Sequence, residues 1–256
     1  MIQGIKDFRP SKNIIMACLI TGIYDVNRSE TLEDDNYELI RNWAESIADL
    51  KLNGLIFHNN FSLETCQKYQ NEYVSFVKIN YDSTPFNPNV YRYFVYQEFL
   101  SLYAREIENI FVTDISDVVV VNNPFEHPFY IENAGTIFCG DEPKILENDW
   151  MIDHSAHFRQ KIADYSNYEN KFANETLLNC GIICGSIYMV KDFIQNLCAI
   201  HKQFNMDNRT LFTGDMGAFN YLARTKFNNQ LKQGAPVNTL FKGYELERKD
   251  CWFRHK

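Results

Sequence analysis

Short apolar runs alternate with stretches of helical spacing along this chain, and that alternation confines it to an α/β fold with a largely parallel sheet. The runs are Asn13–Thr21, Gly54–His58, Tyr73–Ile79, Ile110–Val112 with Val118–Val121, Thr136–Gly140 and Gly181–Tyr188. Between them, residues 36–50 place Leu39, Ile40, Trp43, Ile47 and Leu50 at helical spacing, and helices are also expected over 90–106, 190–205 and 216–223. Residues 144–178 are polar and poorly periodic, an excursion between elements. No repeat, low-complexity block or linker breaks the 256 residues, which are expected to form one domain over 1–256.

The acidic element within this pattern carries the most chemistry. Asp114 and Asp117 lie between the apolar runs 110–112 and 118–121. Ligands of open α/β sheets bind beyond the carboxyl ends of strands. Paired carboxylates there suit a hard cation, Mg²⁺ or Mn²⁺, and the phosphates it carries. The alternative is a polar turn in which Asp114 or Ser116 caps backbone groups.

At about 100° per residue, Gln97, Glu98, Ser101 and Arg105 share the polar face of the 90–106 helix, and Arg92 falls nearly opposite. A buried arginine needs an acidic partner or a phosphate. Its position in the first turn points it towards the edge that holds Asp114, where it meets a ligand phosphate or pairs with an aspartate.

Further segments have the composition of a site. Asn179 and Gly181 are expected just before a strand, with Gly185 and Ser186 after it; glycine admits close backbone approach and Asn offers a donor and an acceptor. Strand-end turn chemistry is the other reading. Thr213-Gly214-Asp215 opens a helix, with Asp215 either the N-cap or a functional carboxylate and Asn220 further along. Arg254-His255-Lys256 is a cationic cluster, either a frayed tail or a segment that folds over a bound phosphate; its basic-aromatic character also suits peripheral contact with a membrane surface. Asp153, His154 and His157 imitate part of a zinc site, but no third and fourth ligand is evident. His58 ends a strand.

The formal net charge of −8 disfavours a general nucleic-acid binder, which would carry a basic surplus. The seven cysteines are odd in number and have no Cys-x-x-Cys spacing, so they are expected to be reduced and mostly buried, as in a cytosolic protein. No signal-peptide pattern opens the chain, and Ile14–Ile20 is too short an apolar stretch to span a bilayer.

Taken in order, these segments resemble the GT-A glycosyltransferases, nucleotide-sugar-dependent enzymes with a Rossmann-like, mixed and mostly parallel sheet flanked by helices. The resemblance runs from Asn13 to Lys256 and is sharpest over Phe111-Val-Thr-Asp-Ile-Ser-Asp-Val-Val-Val-Val-Asn-Asn-Pro-Phe125. The family's acidic motif usually has one residue between its acids. Here there are two, which leaves open whether both bind metal or Asp114 meets the nucleotide and Asp117 the metal.

The resemblance implies a nucleotide-binding half over about 1–125 and a donor-sugar and acceptor half over about 126–256. It implies that Thr21 and Gly22 hold the base and ribose, that Asn179 and Gly181 line the donor sugar, and that Asp215 and Asn220 sit beside the anomeric carbon. It makes His255 the third member of the metal or diphosphate site, with Arg92, Arg254 and Lys256 beside the diphosphate. The order of motifs resembles the retaining branches; in an inverting enzyme Asp215, or Asp141 or Glu142, would act as general base.

The implied cofactors are Mn²⁺ or Mg²⁺ and a nucleotide sugar, with a UDP-sugar the expected donor. The implied acceptor is a glycan or lipid-linked glycan; with no membrane anchor evident in the sequence, action is expected in the cytoplasm, at the cytosolic membrane face. Two other classes compete: a non-catalytic relative that binds nucleotide or sugar, and a metal-dependent phosphohydrolase. In the latter the nucleophilic Asp normally follows the first strand, whereas this acidic pair comes after residue 110. A sugar-1-phosphate nucleotidyltransferase would need a glycine-rich loop with arginine where this chain has Ile20-Thr-Gly-Ile-Tyr24.

Overall fold

A computed structural model describes residues 2–3, 10–25, 29–206 and 214–256. Thr213 therefore lies outside the described residues.

The first strand, β1 (Asn13–Leu19), alternates between two cores. Ile14 and Met16 face one cluster, and Ile15, Ala17 and Leu19 face the other, as the two-residue period of a strand requires. A hairpin of β2 (Tyr24–Asp25) and β3 (Glu30–Thr31) follows. The helix expected over 36–50 divides at Ile40 into a 3-10 turn, Tyr37–Leu39, and α1 (Arg41–Asp49), which buries Trp43, Ala44 and Ile47. All five residues of β4 (Gly54–His58) are buried, the sign of a strand covered on both faces.

Next comes α2 (Leu63–Tyr69), which starts where the Ser62 side chain accepts from the Thr65 amide. It buries none of its residues, so it left no apolar period to read. After β5 (Val74–Lys78), α3 (Pro88–Tyr103) begins with an Asn87 cap and a proline in its first turn, ahead of the expected start at Val90. Then come β6 (Asn109–Thr113), β7 (Val118–Val120), α4 (Pro128–Glu132) and β8 (Ile137–Ile145).

The stretch 144–178 is not irregular. Most of it forms α5 (Asp149–His154), α6 (Ala156–Lys161) and α7 (Tyr165–Phe172), each too short to show a full period. After them come β9 (Thr176–Ser186), α8 (Ile187–Phe204), α9 (Asp215–Lys226), β10 (Leu231–Gln233) and β11 (Phe253–His255).

Seven strands form the main sheet in the order β10-β8-β9-β6-β1-β4-β5. β1 is parallel to β4 and β6, β4 to β5, and β8 to β10; β9 runs antiparallel to β6 and β8. The expected mixed, mostly parallel sheet with flanking helices is the observed one. Asn179 and Gly181 lie inside β9 rather than before a strand. From β1 the chain moves outward to β4 and β5, then returns to place β6 on the other side of β1. The carboxyl ends of β1 and β6 thus flank a topological switch point, where the diverging loops leave a crevice.

One two-stranded unit completes this edge. β11 pairs antiparallel with β7, with Phe253 opposite Val120 and His255 opposite Val118. Cys251, Trp252 and Phe253 are fully buried, Trp252 among Phe111, Tyr130 and Phe138. The basic cluster is therefore a pinned strand and not a frayed tail.

Candidate active site

Asp114 is the first residue beyond β6, and its amide donates to the Gly181 carbonyl at 2.6 Å. Its carboxylate divides its contacts. Oδ1 forms an ion pair with Arg92, and Oδ2 lies 3.7 Å from His255 Nε2. Arg92 thus faces the expected edge, with Asp114 as its acidic partner. Burial is the largest single influence and opposes the Arg92 charge, but Asp114, Tyr93, Cys180 and Tyr96 together outweigh it and hold the guanidinium pKa well above its ordinary value.

Asp117 approaches the same imidazole nitrogen, its Oδ2 3.8 Å from His255 Nε2. The Lys256 amide donates to the Asp117 carbonyl at 2.9 Å, so pairing of β11 with β7 fixes both groups together. His255 is 1% exposed, with the Phe241 ring edge-on at 4.6 Å. Burial pushes its pKa below the ordinary value, against the pull of Asp114 and Glu142. At neutral pH the ring is the uncharged form that can ligate a cation.

The three ligand atoms lie within 4.8 Å of one another. Two atoms each about 2.1 Å from one cation are at most about 4.2 Å apart, and the gaps from His255 Nε2 to Asp114 and Asp117 fall inside that limit. Two carboxylate oxygens and one imidazole nitrogen suit Mn²⁺ or Mg²⁺. The residues fit such an ion, with both carboxylates reaching His255 Nε2.

Gly181 makes this arrangement possible. A Cβ there would collide with Asp114 Oδ2 and would come within 2.7 Å of His255 Cε1 and 2.9 Å of Asn179 Oδ1. The Gly181 amide donates to Asn179 Oδ1 at 2.7 Å, and Asn179 Nδ2 donates to Glu142 Oε1 at 2.9 Å. Burial raises the Glu142 carboxyl above its usual range.

Asp215 enters from the start of α9. Gly214, at φ +72°, is the N-cap, so Asp215 is the first helical residue and not the cap. Its Oδ1 accepts from the Met216 amide at 2.9 Å, and Cys180 Sγ donates to Oδ2 at 3.5 Å.

Arg92, Asp114, Asp117, Asn179, Asp215 and His255 line one cleft of about 570 Å³. Ile20, Ile23 and Tyr24 form its wall beyond β1, and Glu142 and Lys144 on β8, with Trp150 in α5, form the opposite wall. Sequence reasoning did not single out Tyr24, Lys144, Trp150 or Lys242, all of which line it. A tryptophan in a polar stretch was the one available signal.

The other expected residues lie off the cleft lining. Thr21 is buried and bound by its neighbours: its hydroxyl donates to Asp34 at 2.8 Å, and its amide to Asn59 at 2.9 Å. Gly22, at φ +78°, turns the chain behind Ile23. Asn220 is fully buried and ties α9 to β9, accepting from the Leu178 amide at 3.0 Å and donating to its carbonyl at 2.9 Å. Arg254 donates to the Leu246 carbonyl at 2.6 Å. Lys256 contributes its backbone to Asp117, as above. His154 stacks on Trp150 rather than joining His157 in a metal group, and among the described residues the metal-capable group is Asp114, Asp117 and His255. His58 accepts from the Phe61 amide at 3.2 Å, a loop role.

The expected reduced cysteines are all free thiols, and five of the seven are buried. Among the described residues no helix is long and apolar enough to cross a membrane.

No family model matches the chain, and no curated protein matches it in sequence. Solved structures do match. One is the galactosyltransferase LgtC in complex with donor and acceptor sugar analogs, at 13% identity and TM-score 0.52, covering 95% of this chain and 86% of that one. An active-site mutant of LgtC matches at 14% identity and TM-score 0.53, with the same coverage. The apo bifunctional glycosyltransferase WbbM matches at 13% identity and TM-score 0.53, over 97% of this chain and 46% of that one. The fold is that of the GT-A glycosyltransferases.

Proposed function

We propose that this GT-A chain transfers a sugar from a nucleotide-diphosphate sugar to a hydroxyl of a glycan or glycolipid, with Mn²⁺ or Mg²⁺ as cofactor and with retention at the anomeric carbon. The observation that carries the reading is the Asp114, Asp117 and His255 group at the switch-point edge, with Arg92 paired behind it. A cation bound there would offset the charge that grows on the departing diphosphate.

The chain's own groups divide the remaining work. Asp117 and His255, fixed through β7 and β11, would hold the cation, and Asp114 would share it while Arg92 holds that carboxylate in place. Lys242 lines the same cleft and would meet the phosphate oxygens. The apolar wall of Ile20, Ile23 and Tyr24 suits the base, with a UDP-sugar the proposed donor. Asn179 and the Gly181 backbone would border the sugar.

As the bond from the anomeric carbon to the diphosphate oxygen breaks, the centre becomes oxocarbenium-like. Asp215, buried at 5% exposure, would stabilise that charge. The acceptor oxygen bonds to the same carbon, and its proton leaves with the diphosphate. We place this chemistry within one domain that acts in the cytoplasm on glycan assembly, with peripheral contact at the cytosolic membrane face.

The test is a thermal-shift panel of UDP, GDP, CMP and dTDP sugars, each with and without Mn²⁺. A shift for one nucleotide that requires metal and is lost in Asp117→Ala supports the reading. Absence of a shift and of hydrolysis for every donor sinks it.

A further inference from the structure

Of the three tryptophans, Trp43 and Trp252 are fully buried, whereas Trp150 keeps 37% of its surface exposed. Trp150 lines the cleft from α5. Its ring lies against the His154 ring, with centroids 3.6 Å apart and planes 29° apart. His154 is only 4% exposed, so the indole is backed by a fixed group and not free to swing. An exposed, rigidly backed indole in a cleft is a preformed apolar platform.

The strand order fixes where this platform stands. Along the carboxyl edge the sheet runs β1, β6, β9, β8. The Ile20–Tyr24 wall flanks β1, Asp114 follows β6, and Asn179 with Cys180, the contact of Asp215, lies on β9. Glu142 and Lys144 follow on β8, with Trp150 beyond them in α5. The platform is therefore at the opposite end from the wall suited to the base, with Asp215 between.

The surrounding chemistry narrows the occupant. Glu142 is held towards the cleft by Asn179 and lies on the same wall as Lys144 and the indole. A pyranose presents one face of C–H groups and a rim of hydroxyls. The face suits the indole; the rim suits an acceptor carboxylate and a donor ammonium. An acyl chain would strip water from Glu142 and leave it the Asn179 bond but no partner on the ligand, and a lipid phosphate would be repelled by it.

We infer that Trp150 and Glu142 form the acceptor subsite, which takes a saccharide whose pyranose ring lies on the indole with a hydroxyl turned towards Asp215. This rests on the glycosyl-transfer reading and specifies its acceptor.

Because Trp150 is the tryptophan that solvent reaches, its emission reports on this subsite directly. The wild-type protein would be titrated, in UDP and Mn²⁺, with methyl β-galactoside, methyl β-glucoside, lactose and cellobiose, and separately with phosphatidylglycerol vesicles. The expected result is that at least one saccharide shifts the emission and shields it from acrylamide, and that vesicles do neither. In transfer assays Trp150→Ala should raise the acceptor KM by about tenfold, the upper range for one aromatic contact. Trp150→Phe should recover most of that loss, and the nucleotide-dependent thermal shift should persist in both.

Nucleotide binding with no saccharide effect on the emission overturns the inference, as does an unchanged acceptor KM in Trp150→Ala, or a response to vesicles alone. Saccharide shielding without any nucleotide binding would instead keep the subsite and sink the transfer reading.

Discussion

The amide of Asp114 donates to the carbonyl of Gly181 at 2.6 Å, and the same aspartate's carboxylate occupies the space where a Gly181 side chain would begin. Backbone pairing and side-chain placement at the end of β6 therefore depend on one absent methyl group.

Gly181→Ala should abolish the metal-dependent nucleotide response, because the Cβ must displace Asp114, His255 or Asn179. Gly135→Ala meets nothing within 4 Å and should leave it intact. Calorimetric titration of Mn²⁺ into both variants separates the two; retained binding in Gly181→Ala would refute the account.

Arg92→Leu should destabilise the fold by on the order of 2–3 kcal/mol. That is below the full range for a broken buried pair, because Asp114 keeps some solvent. Arg92→Leu combined with Asp114→Asn should lose less than the sum of the single changes, since neither charge is then stranded. Urea unfolding of the four proteins in the cycle measures the coupling.

Asn220→Ala should act on stability. Its side chain makes three bonds, two to the Leu178 backbone and one to the Met216 carbonyl. Their loss leaves buried backbone groups unpaired, a cost of about 2–4 kcal/mol. Nucleotide affinity of the folded fraction should change little. A large rise in nucleotide Kd at unchanged stability would instead put Asn220 in contact with the donor.

Acid should weaken the fold through histidines held neutral. Burial pushes His201 from 6.5 down to about 3, and His58 and His157 to about 4. Each has a lowered folded value, so between that value and 6.5 the unfolded chain binds more protons than the folded one. Stability is full above about 6.5 and falls as pH drops below it. His201 alone, fully buried, should account for about 2 kcal/mol at pH 5. Urea midpoints between pH 7.5 and 5 should fall, and His201→Gln should flatten the slope.

The elements legible in the sequence are those whose residues have apolar partners on a regular period. β1 and β4 are buried almost throughout, and α8 buries a stripe from Ile187 to His201. The expected approach of Arg92 to the Asp114 edge followed from helix geometry. Elements that bury little were not legible: α2 buries nothing, and α5 to α7 bury one to three residues each. Direction was also hidden. The near-continuous burial of β9 reads the same whether it runs parallel or antiparallel, so Asn179 and Gly181 were set at a strand end when they lie within it. Asn220 and Thr21 carry residue types that serve ligands and backbone equally, and only their partners separate the uses. Trp150 was missed because its value lies in what it does not bury.

The pairing of β7 with β11 joins Asp117 to a residue more than a hundred positions later in the chain. Contacts of such long separation form late, since the intervening loops must close first. The cation site is therefore incomplete in any partly folded intermediate that lacks β11, however native its sheet. During refolding, Mn²⁺ affinity should appear only after the far-ultraviolet signal of the sheet and helices has recovered, which makes the bound ion a clock for the last step of folding.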